Sequence, residues 1–176
     1  MATAVISTPP VQVPDADSMR ALGRRLARIL RAGDLVLLGG ELGAGKTTLA
    51  QGIGAGLGVR GPVTSPTFVI TRVHPPLNDG PPLVHVDAYR LRSWDEMEDL
   101  DLEATLDEAV TIVEWGEGLA EGLGPDRLEV HIHRRTGKAH AQLSASVEPV
   151  TGESDVREVT MTGFGARWAG VDVAPL

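Results

Sequence analysis

The stretch that most constrains the fold is GELGAGKT, residues 40–47. It fits the pattern G-x-x-x-x-G-K-[ST] without a mismatch, and only Gly39 separates it from an apolar run, residues 35–38. Glycines let backbone N–H groups surround a phosphate chain, and a helix that begins at Lys46 adds its positive dipole end. Lys46 is then placed to neutralise phosphate, and the Thr47 hydroxyl to ligate Mg²⁺. The sequence therefore predicts a buried strand, a phosphate-binding loop (hereafter the P-loop, residues 40–47) and a helix.

Two further apolar runs end in an acid. LVHVD ends at Asp87, and VTIVE ends at Glu114. Burying a carboxylate at a strand end is costly unless a bound cation offsets the loss of hydration. Both acids are therefore candidates to bind the metal ion or the attacking water. The alternative interpretation, a helix cap or a surface acid, stays open for each of them.

The order of elements predicts an α/β fold, a P-loop NTPase-like three-layer sandwich with a mixed, mainly parallel sheet. Asp15 or Asp17 is expected to cap a first helix that ends near Gly33. Alternation from Arg127 onward predicts antiparallel hairpin strands near the C-terminus, with a turn at residues 136–137. We expect one domain over residues 15–165, a disordered leader over residues 1–14 and a flexible tail over residues 166–176.

Composition limits which partners, which compartment and which nucleotide are expected. The net charge of −8 argues against a surface that holds nucleic acid unaided. The chain has no cysteine and no apolar run of membrane-spanning length, which favours the cytosol. The guanine-reading sequence Asn-Lys-x-Asp is absent, since Lys138 is the only lysine besides Lys46. We therefore expect ATP rather than GTP.

Four blocks in this order resemble the bacterial TsaE family, formerly called YjeE: GELGAGKTTL, SPTF, HVDAYRL and VEWGE. The resemblance covers about residues 15–135 and weakens toward the C-terminus. It implies an ATPase subunit required to make threonylcarbamoyladenosine in tRNAs that read codons starting with adenine. It also implies partners of the TsaD and TsaB type, with tRNA contacted only indirectly through that complex.

The resemblance also implies roles for individual residues. Thr47 and Glu114 would hold Mg²⁺, Asp87 would be the acid of the Walker B type, and Thr67 would lie in a switch-like loop near the γ-phosphate. Ser18 would reach the nucleotide from the first helix, and Trp115 would pack beside the site or in the core. The residues expected to hold ATP or ADP are Gly40, Leu42, Gly43, Ala44, Gly45, Lys46, Thr47 and Thr48. The sequence departs from the commonest family form at Glu41, where aspartate is more frequent.

Two other functions remain open from the sequence. A small-molecule kinase would have the same length and P-loop, but it needs a lid, and HPPLNDGPP, residues 74–82, has no basic residue except its histidine. A non-enzymatic, ATP-dependent assembly switch is the third hypothesis.

Residues 95–108 carry eight acids and no base, which fits either a docking surface for a basic partner or a solvated helix. His131 and His133 lie two apart on a predicted strand, but no third zinc ligand is visible.

Overall fold

A computed structural model describes residues 4–66, 70–134 and 156–173. The strands are β1 (Ala4–Ser7), β2 (Val11–Val13), β3 (Leu35–Gly40), β4 (Thr71–His74), β5 (Leu83–Asp87), β6 (Val110–Glu114), β7 (Arg127–Arg134) and β8 (Arg157–Phe164). The α-helices are α1 (Ala16–Leu26), α2 (Lys46–Leu57), α3 (Trp94–Glu98) and α4 (Glu103–Leu106). Single turns of 3₁₀ helix cover Ala88–Arg90, Ala120–Leu123 and Ala166–Trp168. Within the described residues, no helix is long and apolar enough to cross a membrane.

All eight strands form one mixed sheet in the order β1, β8, β7, β3, β6, β5, β4, with β2 also paired to β8. The four central strands, β7, β3, β6 and β5, are parallel to one another. Antiparallel strands lie on both sides, β4 beside β5 and β8 beside β7. The predicted α/β fold with a mixed sheet and antiparallel C-terminal strands is thus confirmed. The parallel strands form the centre of the sheet, and among the described strands three parallel pairings stand beside four antiparallel ones. The expected hairpin turn at residues 136–137 lies outside the described residues.

Strand β3 shows why the fold has three layers. Its side chains alternate between the two faces of the sheet, so Val36 and Leu38 join one apolar cluster while Leu35 and Leu37 join the other. Helices α1 and α2 cover the first face, and α3 with the segments around it covers the second. Both faces of the central strand are therefore buried, which explains its unbroken apolar run.

The first helix is shorter than expected. Asp15 caps α1, because its carboxylate accepts a hydrogen bond from the Ser18 backbone N–H at 2.7 Å. That bond lowers the pKa of Asp15. The helix ends at Leu26 rather than near Gly33, since the following turns are of the i to i+3 type, as in the bond from Ile29 N–H to the Leu26 carbonyl.

The expected disordered leader is contradicted over its described part. Strand β1 pairs with β8 around Phe164, and β2 continues the same edge beside Val159. Between these strands, Thr8 donates its N–H to the Met161 carbonyl and accepts the Met161 N–H on its hydroxyl. Backbone pairing with a strand about 150 residues away thus holds this segment in place.

The expected flexible tail is contradicted through residue 173. Trp168 is fully buried, and Arg167 forms two hydrogen bonds with the carboxylate of Asp34, at 2.7 and 2.8 Å. Arg167 also donates to the Ile29 carbonyl at 2.7 Å. These contacts attach the segment after β8 to the beginning of β3, so it is part of the folded domain.

Candidate functional site

The P-loop connects β3 to α2, as the sequence predicted. Its backbone needs glycine where φ is positive, and Gly40 and Gly45 have φ values of 136° and 116°. A side chain at Gly40 would also meet the Ile132 carbonyl, since a Cβ there would lie 2.3 Å from that oxygen. The loop therefore keeps its curved shape only with glycine at these positions. This shape directs the first turn of α2 toward the cavity that the P-loop borders.

A cavity of about 530 Å³ opens at the carboxyl ends of β3, β5 and β6. Its volume lies in the range of small-molecule sites. The P-loop and the start of α2 contribute Leu42, Gly43, Gly45, Lys46, Thr47 and Thr48. The opposite wall consists of Ser65, Asp87, Tyr89, Glu114 and Trp115. The two strand-end acids and the P-loop are therefore brought together, as the sequence predicted.

Lys46 is the buried cation of the site, with 5% of its surface exposed. Its Nζ donates to the carbonyls of Gly40 at 2.7 Å and Glu41 at 2.9 Å. Burial lowers the pKa of Lys46, and the negative charges of Glu114 and Asp87 oppose that shift. A buried ammonium group aimed into a loop of backbone donors is suited to binding an anion.

The indole ring of Trp115 packs over the ammonium group of this lysine. The Nζ of Lys46 lies 3.7 Å from the centre of the indole ring, and Tyr89 meets the same ring edge-on at 5.2 Å. A cation over an indole face is attracted by the ring quadrupole. Trp115 has a φ of 61°, an uncommon conformation for a bulky residue, and its N–H donates to the Leu38 carbonyl. Of the two interpretations given above, the structure places Trp115 beside the site rather than in the core.

Thr47 and Glu114 are joined directly. The Thr47 hydroxyl lies 3.0 Å from Oε1 and 3.2 Å from Oε2 of Glu114, and the carboxylate is buried. Asp87 accepts the Ser65 hydroxyl at 2.9 Å on one oxygen and the Tyr89 N–H at 3.0 Å on the other. Hydroxyl and carboxylate oxygens are the ligands that Mg²⁺ prefers, so Thr47 and Glu114 could hold that ion.

Other residues expected at the site have different positions. Gly40 and Ala44 lie in the loop behind the cavity wall, with the Gly40 carbonyl bonded to Lys46. Ser18 does not line the cavity, although its neighbour Met19 packs near Gly45. Thr67 lies outside the described residues.

Sequence reasoning missed three contributors to the site. Ser65 and Tyr89 orient Asp87, and a buried histidine, His85, lies 2.8 Å from Glu114. The signal for His85 was present in LVHVD, because a histidine inside a fully apolar strand needs a buried partner. His131, by contrast, pairs with Glu117 at 3.1 Å, and both side chains are more than half exposed.

The family model for threonylcarbamoyl adenosine biosynthesis protein TsaE matches residues 13–142. The chain belongs to the TsaE family. This membership gives it a role in threonylcarbamoyl adenosine biosynthesis, and it confirms the resemblance found in the four sequence blocks.

Individual TsaE proteins are similar over most of their length. The tRNA threonylcarbamoyladenosine biosynthesis protein TsaE of Streptomyces coelicolor is 61% identical over 159 residues, covering 90% of this chain and 99% of that protein. The protein of the same name from Bacillus subtilis is 36% identical over 154 residues, covering 86% of this chain and 84% of that one. The crystal structure of Bacillus subtilis YdiB matches with a TM-score of 0.66 at 28% identity, over 96% of this chain and 92% of that chain.

Proposed function

We propose that this chain binds ATP and Mg²⁺ in the cavity beside the P-loop and hydrolyses the ATP. In this proposal it is a cytoplasmic subunit needed to form threonylcarbamoyladenosine in tRNAs that read codons starting with adenine. It acts with TsaD- and TsaB-type proteins, which hold the tRNA, because a net charge of −8 disfavours direct binding. The proposal is carried by one observation in a chain of the TsaE family, the buried Lys46 at the start of α2 facing Glu114 and Asp87.

The described residues fit a triphosphate. The backbone around Gly43 is open, since a Cβ there would meet no atom within 4 Å, and Lys46 is already desolvated. The carbonyls that now accept the Lys46 hydrogen bonds belong to the same loop, so the ammonium group can exchange one of them for a phosphate oxygen with little movement. The N-terminus of α2 supports negative charge at this position.

The residues also fit a magnesium ion that is shared with a nucleotide. Among the described residues, no group of three or more histidine, cysteine, aspartate or glutamate side chains could hold a metal alone. Mg²⁺ usually binds through one or two carboxylates, with water and phosphate oxygens completing its shell. Thr47 and Glu114 would provide the protein oxygens, and the bound ion would neutralise charge on the phosphates.

Asp87 is the best candidate to position the attacking water. Its carboxylate lies in the cavity wall, and the donors Ser65 and Tyr89 fix both of its oxygens. A carboxylate held this way loses little conformational freedom when it accepts a further hydrogen bond from water. The role expected for Thr67 stays a prediction from the family resemblance.

The kinase alternative is disfavoured by the position of the segment once considered as a lid. Residues 74–82 pack at the far end of α2, where Leu77 N–H donates to the Gly58 carbonyl and Asn78 donates to the Leu57 carbonyl. A 12-residue helix is about 18 Å long, so this segment lies about one helix length from the P-loop. It is too far away to close over a phosphate acceptor.

Phosphate release by the purified chain, alone and with the two partner proteins and tRNA, tests the proposal. We expect slow hydrolysis alone and faster hydrolysis in the assembly, because partner-completed sites gain on the order of 10³-fold or more. Lys46→Ala should abolish ATP binding. Asp87→Asn should keep ATP binding and lose hydrolysis, while Asp79→Asn, at an exposed acid, should behave as wild type.

Three results would count against the proposal. One is an absence of hydrolysis under every condition. Another is fast turnover by the isolated chain that the partners leave unchanged, which would favour a self-sufficient enzyme. The last is threonylcarbamoyladenosine formation in the reconstituted assembly at the same rate with Lys46→Ala as with wild type.

A further inference from the structure

His85 is a polar side chain in a position where burial is expensive. It lies in the middle of β5 with its side chain fully buried, and the Glu114 side chain beside it is 4% exposed. Its Nε2 lies 2.8 Å from Oε1 of Glu114, whereas Nδ1 has no hydrogen-bond partner among the described residues. A single directional bond therefore fixes the ring, and that bond ends on the proposed Mg²⁺ ligand.

The two oxygens of Glu114 are not equivalent. Oε1 accepts from His85 at 2.8 Å and from Thr47 at 3.0 Å, while Oε2 accepts only the longer Thr47 bond of 3.2 Å within the described part of the chain. Since a cation needs an oxygen with lone pairs available, Oε2 is the better placed ligand atom. The carboxylate can present that oxygen reproducibly only if its rotation about the terminal bond is restrained.

We propose that His85 is a positioning residue that holds Oε1 of Glu114 and so leaves Oε2 for the cation. The inference rests on the proposed function, because it assigns His85 a task only when Mg²⁺ and nucleotide bind. Hydrogen-bond partners of metal ligands orient those ligands, and losing such a partner typically costs 10- to 100-fold in metal affinity. The bond to a carboxylate requires the imidazole hydrogen to be on Nε2.

A purely structural role for His85 makes a different prediction, and two substitutions separate the roles. The side-chain amide of Gln reaches about as far as Nε2 of histidine, whereas that of Asn ends near Nδ1. His85→Gln therefore keeps a donor for Glu114, and His85→Asn removes it. His74 supplies a matched control, because it is a buried histidine on the adjacent strand β4. Within the described residues its side chain has a single hydrogen bond, at 3.4 Å, to the Arg60 carbonyl.

The experiment titrates wild type, His85→Gln, His85→Asn and His74→Asn with ATP in the presence and absence of Mg²⁺. We expect Mg²⁺ to strengthen ATP binding by wild type, His85→Gln and His74→Asn. His85→Asn should lose about 10- to 100-fold of that gain while binding ATP equally well without Mg²⁺. A His85→Asn protein that keeps the full gain overturns the inference, and so does an equal loss in His74→Asn.

A second measurement needs no ligand and no variant of His85. Nitrogen NMR of the ligand-free wild type should show the His85 hydrogen on Nε2, with a signal that moves in Glu114→Gln. A hydrogen on Nδ1 overturns the inference even if ATP binds as proposed. A wild type that shows this hydrogen on Nε2 but binds no ATP overturns the proposed function instead. The tautomer thus reports on the inference and ATP binding on the proposed function, so the two failures give different results.

Discussion

Arg157 holds the P-loop from a distant strand, because its Nε donates to the Ala44 carbonyl at 3.2 Å across 113 residues of sequence. Arg157 is the first residue of β8, an antiparallel strand that, among the described strands, pairs with the parallel ones only through β7. The shape of the loop thus depends on the C-terminal part of the chain as well as on its own glycines.

Arg157→Met should weaken ATP binding without abolishing it. The variant removes the hydrogen bond that a charged donor makes to the Ala44 carbonyl, an effect of up to about 3 kcal/mol. Arg127→Met is the matched control, since Arg127 bonds Glu129 at 2.8 Å at the opposite end of the sheet. ATP titration should show weaker binding for Arg157→Met only. Equal affinities for both variants and wild type would mean that this contact has no part in shaping the loop.

Arg167→Met should destabilise the domain by about 3–5 kcal/mol, because it leaves the buried carboxylate of Asp34 without its ion pair. Urea unfolding measures this loss. In Arg167→Met with Asp34→Asn, the uncompensated charge is gone and part of the stability should return. A loss below about 0.5 kcal/mol, the size of an ordinary surface change, would restore the earlier expectation of a loosely attached tail.

His74 should make the folded state sensitive to mild acid. Burial lowers its pKa from 6.5, His85 and Arg72 lower it further, and the bond to the Arg60 carbonyl opposes the shift. Below pH 6.5 the unfolded chain takes up a proton that the folded protein binds less readily, so stability falls as pH falls through this window.

The test compares unfolding free energies of wild type and His74→Gln between pH 7 and pH 5. The variant should lose less stability on acidification than wild type does. His133→Gln, at an exposed position on β7, is the control and should follow wild type. Parallel pH profiles for wild type and His74→Gln would contradict the assignment.

The local sequence pattern predicted the strands and the loop that border the cavity, because each of them is encoded in a short stretch of sequence. Strands that end in Asp87 and Glu114 and a loop that opens α2 are all encoded in runs of fewer than ten residues. The glycines of α2 have low helix propensity, and only the packing of α1 on α2 explains why they are there. A Cβ at Gly52 would lie 2.3 Å from the Arg20 carbonyl, so α1 can pack closely on α2 only where side chains are absent.

The parts that could not be predicted depend on distant pairing. The sequence of residues 4–13 does not indicate that they pair with β8. Likewise, the sequence around Arg167 does not indicate an ion pair with Asp34. His85 was visible in the sequence, but its importance required knowing that β5 and β6 are adjacent, which places it beside Glu114. The sequence therefore did not predict the ordered ends of the chain or the role of His85, because both depend on contacts between residues far apart in sequence.

Titration of the ligand-free chain and of Lys46→Ala with ATP and GTP, with and without Mg²⁺, tests the central claim most directly. We predict that one ATP binds per chain, more tightly than GTP and more tightly with Mg²⁺, and that Lys46→Ala loses this binding because the buried ammonium group is gone. Equal affinity for ATP and GTP, or wild-type affinity for ATP in Lys46→Ala, would contradict it.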